Sequence, residues 1–385
     1  MSFVSERSKA TPQSMIREIF AMQEGIDDVI SFALGEPDFI TPQHIIDAAV
    51  KSFQRGETHY TPNAGIAPLR EAVAEDYRKR GLSYAPDEIV IGAGAISILS
   101  LACATILDIG DEVLLPDPGW VNYVGTVAQA GAVPVLVKTR ESNHFMFDID
   151  DLRAAVTSKT KMILLNFPAN PTGAVATEEN LRQIADLVCE KKLYVLTDEI
   201  YHGLLWDGKI YTSIASFPGM KERTLIVDGF SKKYAMTGFR LGYGAGPQEV
   251  ISAMIKQLEY VLSSVNEGIQ WGGVAALTGS QDCVDAMNEL YRRRRKIVVD
   301  GLNSIDAVSC LKPAGTFFAF ANISKTGLSS RDFAIRLLQK EHVAVVPGTG
   351  FGEGGEGYIR LSYAIDEEKI KKGLLRIERF VKELT

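Results

Sequence analysis

Short apolar runs alternate with longer amphipathic segments through the middle of the chain. Seven of these runs have the length of a strand: 88–92 "EIVIG", 112–115 "EVLL", 133–137 "VPVLV", 161–167 "KMILLNF", 193–197 "LYVLT", 224–227 "TLIV" and 240–245 "RLGYGA". Most are separated by helix-length segments with a polar face, such as 177–192. This alternation predicts an α/β fold with a mostly parallel seven-stranded sheet that is covered by helices on both faces.

The last third of the chain has a different pattern. A long helix is predicted near 281–304, followed by strand candidates at 316–321, 343–346 and 358–363 and by a closing amphipathic helix. The N-terminal segment "DVISFALGEPDF" stands outside the alternating series and is expected to join this region. We therefore predict a large domain over residues 46–280 and a smaller α+β domain built from residues 1–45 and 281–385.

Composition and charge narrow the class of protein. The 385 residues carry a formal charge of −7, which disfavours a nucleic-acid or anionic-membrane binder. The basic run 292–296 is interpreted as the solvent-exposed face of the long helix. The four cysteines lack CxxC spacing and the five histidines lack metal-ligand spacing, so we expect reduced thiols, a cytoplasmic protein and no metal site. The first twenty residues carry charges throughout and resemble neither a signal peptide nor a membrane anchor.

Chemically distinctive residues follow the apolar runs. Ligands of open parallel sheets bind beyond the carboxyl ends of the strands, so these residues are candidates for one site. They are Gly94, Ala95 and Ile96 in a glycine turn, Trp120 and Tyr123, Asn170, Asp198 and Tyr201, Ser231 with Lys232 and Lys233, and Arg240. A ligand with an anionic group, a flat ring, a ring cation, an oxyanion and a carbonyl carbon would match the set. Pyridoxal 5′-phosphate has each of these parts.

Six motifs resemble those of class I aminotransferases of pyridoxal-phosphate fold type I. They are "SFALGEPDF", "HYTPNAGIAPLR", "NFPANPTGA", "LTDEIYHGL", "SKKYAMTGFRLGY" and "YIRLSYA". The resemblance covers essentially the whole chain and points to the bacterial branch with aspartate, aromatic and broad-specificity members. It implies an enzyme that moves an amino group from an L-amino acid to a 2-oxo acid by a ping-pong mechanism.

The resemblance also decides between the two adjacent lysines. In the family, the lysine that binds the cofactor covalently stands eight residues before the arginine of its motif, and that position here is Lys232. Lys233 falls where the family has a variable residue, so we expect it to be a solvated neighbour.

Further roles for cofactor-binding residues follow from the resemblance. Asp198 is expected to pair with the pyridine nitrogen, and Asn170 and Tyr201 with the phenolic oxygen. Arg240 is expected to clamp the phosphate, and Trp120 to stack on the ring. The backbone of Gly94, Ala95 and Ile96, with the hydroxyl of Ser231, is expected to complete the phosphate site at a helix N-terminus.

Other residues are expected to bind the substrate or a second subunit. Arg360 is expected to clamp the α-carboxylate of the amino acid, because a buried arginine inside a strand needs an anionic partner. The backbone of Gly35 and the amide of Asn170 are expected near the same carboxylate. Tyr60 is expected to reach the phosphate of a neighbouring subunit, which implies a homodimer with shared active sites.

The donor amino acid is less well determined by the sequence. Aspartate-specific bacterial relatives carry a basic residue in the phosphate loop, and the matching position here is Ile96. We therefore expect a neutral, aromatic or broad range of donors, with 2-oxoglutarate or pyruvate as the acceptor. Two alternatives stay open: a C–S β-lyase on the same fold, which would release pyruvate without needing an oxo acid, and a strict aspartate aminotransferase.

Overall fold

The structure, a computed structural model, describes residues 3–4, 8–9 and 15–384. Its strands, numbered in chain order, are β1 (Ile30–Ser31), β2 (Ile89–Gly92), β3 (Glu112–Asp117), β4 (Val133–Lys138), β5 (Thr160–Asn166), β6 (Tyr194–Asp198), β7 (Thr224–Gly229), β8 (Gly242–Ala245), β9 (Ser309–Cys310), β10 (Phe318–Asn322), β11 (Val343–Ala344), β12 (Val346–Pro347) and β13 (Tyr358–Ser362). Its α-helices are α1 (Met15–Met22), α2 (Gln43–Gln54), α3 (Ala67–Lys79), α4 (Ala95–Ile106), α5 (Asn122–Gln129), α6 (Ile149–Ala155), α7 (Glu178–Lys191), α8 (Gln248–Val261), α9 (Glu267–Thr278), α10 (Asp282–Asn303), α11 (Ser330–Glu341) and α12 (Glu367–Lys382).

The seven apolar runs of the middle region form one sheet with the strand order β2-β8-β7-β6-β5-β3-β4. The neighbours from β7 to β4 are parallel, and β8 is antiparallel to both β7 and β2. The predicted fold class, an α/β unit around a mostly parallel seven-stranded sheet, is therefore confirmed. Each predicted strand overlaps an observed one, with differences of a few residues at the ends.

The central strands are apolar on both faces, which is why they appear in the sequence as continuous runs. In β3, Val113 and Leu115 pack into the cluster under α4 and α8, whereas Leu114 joins the cluster on the opposite face. In β5, Met162 and Ile163 divide between the two faces in the same way. Alternation with a period of two therefore buries every residue when helices cover both faces.

A second sheet has the strand order β12-β13-β10-β9. The strand candidates at 316–321 and 358–363 overlap β10 and β13 of this sheet. The candidate at 343–346 is divided between β11, which pairs with β1, and β12, which belongs to this sheet. The N-terminal strand β1 runs parallel to β11, with Ile30 opposite Val343. The segment before the large sheet thus pairs with the C-terminal region. The division at residues 45/46 and 280/281 stays a prediction.

The basic run on α10 is not the uniform wet face that its charge suggested. Arg294 and Arg295 are buried, and each makes a two-pronged ion pair, with Asp38 and Asp207 respectively. The interpretation of the whole run as solvent-exposed was therefore wrong at these two positions. The physical reason is that aspartates from distant segments neutralise them, and charge pattern along a helix does not reveal such partners.

Candidate active site

Lys232 lies in the turn that follows β7, at the carboxyl edge of the large sheet. Its Nζ donates a hydrogen bond of 2.7 Å to the carbonyl oxygen of Gly35. Burial lowers the pKa of this lysine to about 8, and the nearby positive charges of Arg360 and Arg240 act in the same direction, whereas Glu36 opposes them. A lowered pKa increases the fraction of the neutral amine, which is the form that attacks a carbonyl carbon.

Lys233 lies in a different environment from that of its neighbour. Its ammonium lies 5.1 Å from the centre of the Tyr234 ring, and its methylene chain packs against Gly203. A Cβ at Gly203 would lie 3.0 Å from two carbons of that chain. The expectation of a solvated lysine was therefore wrong, because its stem is covered by packing and burial lowers its pKa.

Asp198 ends β6 and is buried. Its Oδ2 accepts a hydrogen bond of 2.8 Å from Tyr123 Oη, and its Oδ1 accepts one of 3.1 Å from the backbone N–H of Ile200. Burial nevertheless raises the pKa of Asp198 to about 6, and the carboxylates of Asp228 and Glu199 add to this effect. An oriented, buried carboxylate of this kind suits a cationic ring N–H partner.

Asn170 and Tyr201 lie close to Asp198. The backbone N–H of Asn170 donates to Asn166 Oδ1 at 2.9 Å, and Asn166 Nδ2 donates to the carbonyl oxygen of Asp198 at 3.1 Å. Tyr201 is buried edge-on against Phe318, with ring centroids 5.8 Å apart. Burial raises the pKa of Tyr201, so its phenol remains a hydrogen-bond donor at neutral pH.

The first turn of α4 is shaped to receive an anion. Gly94 caps the helix with a φ of 80° and no side-chain cap, so no capping side chain occupies the first N–H groups of the helix, at Ala95 and Ile96. The guanidinium of Arg240 lies over this turn, and a Cβ at Gly94 would lie 2.5 Å from Arg240 Nη2. Gly242 allows the strand to approach as closely, because a Cβ there would lie 2.4 Å from the nitrogen of Ala95.

Arg360 is a buried arginine in β13 that pairs with no side-chain carboxylate among the described residues. Its Nη2 donates to the carbonyl oxygen of Ala33 at 2.6 Å and its Nη1 to Asn170 Oδ1 at 3.1 Å. The rings of Phe318 and Phe351 flank its guanidinium, with centroids at 4.4 and 4.9 Å from Cζ. Burial lowers its pKa to about 10, as expected for a cation that lacks an anionic partner.

The remaining predicted residues differ in how close they come to this cluster. Trp120 is half-buried with its ring edge-on to Tyr123 at 5.3 Å, and Ser231 is buried immediately before Lys232. Ile96 is half-buried against the apolar cluster under α4. Tyr60 is 89% exposed, so a single chain does not bring it into the cluster.

Several residues of this site were not singled out by the sequence argument. Asn166 holds the backbone of both Asn170 and Asp198, and Phe318 and Phe351 enclose the guanidinium of Arg360. Asn166 lies within the quoted motif "NFPANPTGA", so its position carried a signal. The two phenylalanines are indistinguishable in sequence from core residues.

Comparison with known proteins places this geometry in a family. The family model described as aminotransferase class I and II matches residues 27–377. The chain belongs to this family. It is therefore a pyridoxal-phosphate-dependent aminotransferase, EC 2.6.1.-, which acts on an amino acid and a 2-oxo acid.

Its relatives span nearly the whole chain. An aspartate aminotransferase of Pyrococcus horikoshii is 42% identical over 381 residues, which cover 98% of this chain and 97% of the relative. Aromatic-amino-acid aminotransferase 2 of Thermococcus litoralis is 42% identical over 384 residues, covering 99% and 98%. The structure of the Thermus thermophilus aspartate aminotransferase with maleate matches with a TM-score of 0.94 at 39% identity, over 98% of this chain and all of that one. These matches confirm fold type I.

The residues present fit the cofactor that the family implies. The uncapped turn at Gly94 under Arg240 fits a phosphate, and a Cβ would fill that space. The half-buried amine of Lys232 and the buried carboxylate of Asp198 fit its carbonyl carbon and its ring nitrogen.

No group of His, Cys, Asp and Glu side chains in the described part of the chain is arranged to hold a metal ion. No described helix has the length and apolar character needed to cross a membrane.

Proposed function

We propose that the cluster around Lys232 is the active site and that its residues have the roles predicted from the sequence. The convergence of three groups carries this proposal. These are a lysine with a lowered pKa, a buried carboxylate oriented by Tyr123, and a buried arginine without a carboxylate partner in the described chain. Perturbed, buried groups that converge in this way are typical of catalytic sites.

Bound pyridoxal 5′-phosphate supplies a carbonyl that takes up the donor's amino group and a ring that withdraws electrons from its α-carbon. Asp198 holds the ring N–H as a charged hydrogen-bond acceptor. Asn170 and Tyr201 donate to the phenolic oxygen, and Arg240 with the first turn of α4 holds the phosphate. Together these residues determine how the ring is oriented and how strongly it withdraws electrons.

Lys232 and Arg360 act on the amino acid. Arg360 takes the α-carboxylate with two parallel hydrogen bonds, which orients the Cα–H bond. The amine of Lys232 would accept the proton that leaves Cα of the substrate. A pKa of about 8 keeps part of this amine neutral near neutral pH, so it can accept that proton.

We propose that the amino donors are amino acids with neutral and aromatic side chains. A cavity of about 210 Å³ lies beside the site, and Met15, Trp120, Val124 and Phe351 are among its lining residues. No charged side chain among the described residues lines it. An apolar cavity of about 150 Å³ is large enough for a benzene ring, so this one can take an aromatic side chain. A 2-oxo dicarboxylate or pyruvate would serve as the acceptor.

We also propose a homodimer. Large apolar side chains are exposed on α2, in the loop after it, and at the end of α8: Val50, Phe53, Tyr60, Tyr260, Val261 and Leu262. The buried indole N–H of the adjacent Trp271 has no partner among the described residues. The family resemblance implies that a second copy covering this face would bring Tyr60 to the partner's phosphate site. Sedimentation and the effect of Tyr60→Phe on cofactor affinity test this proposal.

Two further predictions belong with this proposal. The division into a large domain, 46–280, and a small domain built from both termini is supported by the pairing of β1 with β11. A location in the cytoplasm is supported by four cysteines that form no disulfide.

The absorbance spectrum of the purified enzyme tests the proposed function directly. Aromatic donors should remove the visible band of the bound cofactor, and a 2-oxo acid should restore it. Lys232→Ala should abolish this cycle. A protein that stays colourless with added pyridoxal 5′-phosphate would contradict the site assignment. Release of pyruvate from cystathionine, with the visible band retained and no oxo acid required, would indicate the lyase instead.

A further inference from the structure

Residues 33–41, called here the strap, cross the site and contact two of its basic side chains, Arg360 and Lys232. The carbonyl oxygen of Ala33 accepts from Arg360 at 2.6 Å, and that of Gly35 accepts from Lys232 at 2.7 Å. Backbone carbonyls in these positions help to aim the two side chains. Where the strap lies therefore affects the positions of both groups.

The strap is attached on its far side to helix α10. Arg294 donates from Nη1 and Nη2 to the two carboxylate oxygens of Asp38, at 2.7 and 2.9 Å. The Arg294 side chain is 8% exposed, and its Cζ lies 5.3 Å from the centre of the Phe39 ring. That ring packs edge-on against Tyr291, also on α10, at 5.3 Å.

The pair of Arg294 with Asp38 fixes the position of the strap more than it stabilises the folded protein. A planar guanidinium that meets a carboxylate with two parallel bonds fixes distance and orientation together. The net stabilisation from a largely buried ion pair is small, because desolvation offsets the attraction. The next attachment of the strap is the bond from Thr41 Oγ1 to the carbonyl oxygen of Ala235, at 2.6 Å. Between the same two points, Glu36 Oε2 accepts a hydrogen bond from Thr237 Oγ1 at 3.1 Å. Arg294 and Thr237 thus both hold the strap between its contact with Lys232 and the anchor at Thr41.

We propose that Arg294 is a positioning residue for the active site. Through Asp38 it holds the strap so that the carbonyls of Ala33 and Gly35 stay against Arg360 and Lys232. This inference rests on the proposed function of those two residues. Because the partner of Arg294 is Asp38, a residue of the strap, Arg294 affects substrate binding only by holding the strap in place.

The test compares three variants of the cofactor-loaded enzyme. Arg294→Lys keeps the charge but loses the two parallel bonds, and Asp38→Asn weakens the same pair from the strap side. The matched control is Arg295→Lys, because Arg295 is the next residue on α10 and makes the same two-pronged contact with Asp207, which lies outside the strap and is 51% exposed. The measurements are KM and kcat for phenylalanine, the Kd of 3-phenylpropanoate, and hydrogen exchange of the strap amides.

Both strap variants should raise KM and the Kd of 3-phenylpropanoate on the order of tenfold, with a smaller change in kcat. The reason is that a small displacement of the groups that bind the substrate weakens binding strongly. Exchange of the strap amides should become faster in these two variants only. An unchanged KM together with faster exchange would overturn the proposal and leave Arg294 a structural role. An equal rise of KM in the Arg295→Lys control would overturn it too.

Two further results are distinguishable from these. If Arg294→Lys does not fold, Asp38→Asn carries the test, because the Asp38 side chain is 29% exposed and its replacement is milder. If the unaltered enzyme shows no transamination, the proposed function fails before any variant is made, and this inference fails with it.

Discussion

Tyr123 Oη donates a hydrogen bond of 2.8 Å to Asp198 Oδ2, and both side chains are buried. The phenol thus orients the carboxylate that we assign to the ring nitrogen of the cofactor. The bond also opposes the effect of burial, which raises the pKa of Asp198 to about 6. The sequence placed Tyr123 among the candidate site residues but did not indicate this contact with Asp198.

Replacing Tyr123 by Phe should therefore raise the pKa of Asp198. A hydrogen bond to a charged group contributes about 1.5–3 kcal/mol, so kcat at pH 7 should fall on the order of tenfold. The acidic limb of the pH–rate profile should move to higher pH. The control is Tyr77→Phe, since the buried hydroxyl of Tyr77 has no partner among the described residues. An unchanged acidic limb in Tyr123→Phe would contradict this assignment.

Lys232 should reduce the stability of the apoenzyme at neutral pH. Its pKa is lowered to about 8 in the folded state, mainly by burial, with Arg360 and Arg240 lowering it and Glu36 and Asp198 raising it. Below pH 8 the charged amine opposes folding fully, and this penalty disappears as pH rises towards the unfolded pKa of about 10.4. Lys232→Met should thus raise Tm more at pH 7 than at pH 10. Equal shifts at both pH values would refute this, and the exposed Lys79→Met serves as a control.

Substitution of Arg360 should raise KM for all amino donors alike, because Arg360 is assigned to the α-carboxylate that they share. Arg360→Lys loses the planar fork, and KM should rise about a hundredfold or more, as when one partner of a buried charged pair is altered. Arg360→Met should bind donors no better, yet raise the Tm of the apoenzyme by removing an unpaired buried charge. A KM rise confined to one class of donor would argue for a side-chain role instead.

Ile96 provides a test of donor range. Ile96→Lys places a cation in the first turn of α4, where aspartate-specific relatives are expected to carry one. The value of kcat/KM for aspartate should rise by about tenfold, because a single carboxylate–cation contact contributes on the order of 1.5–3 kcal/mol. Ile96→Met is the size-matched control without charge. No gain for aspartate would count against the proposed reason for a neutral donor range.

Arg80 should be important for stability and not for donor choice. It donates to Glu199 at 2.6 Å and to Asp228 at 3.1 Å, and both carboxylates are fully buried. Arg80→Met leaves both without this partner and should cost about 3–5 kcal/mol in the free energy of unfolding. Arg78→Met, which removes an exposed pair with Glu75, should leave the free energy of unfolding nearly unchanged, because solvent screens this pair. Urea unfolding of the two variants measures the difference.

Some features of the site could be predicted because local sequence encodes them. The glycine turn before α4, and the lysine in the turn after a buried strand, are visible as short motifs at strand ends. The buried pairing of Arg294 with Asp38 was not predictable in this way. Its partners are 256 residues apart in the chain, and their meeting depends on how α10 packs against the strap.

The sequence by itself determined the elements and the family. Its alternating apolar runs specify strands and helices because backbone periodicity decides which side chains can be buried together. It also determined which types of reactive or charged side chain occur at the strand ends. The tertiary structure decided which of those groups are buried and what they contact. It orients Asp198 through Tyr123, covers Lys233, and leaves Arg360 without a carboxylate among the described residues. These properties depend on desolvation and on contacts between distant segments, which no local pattern of residues contains.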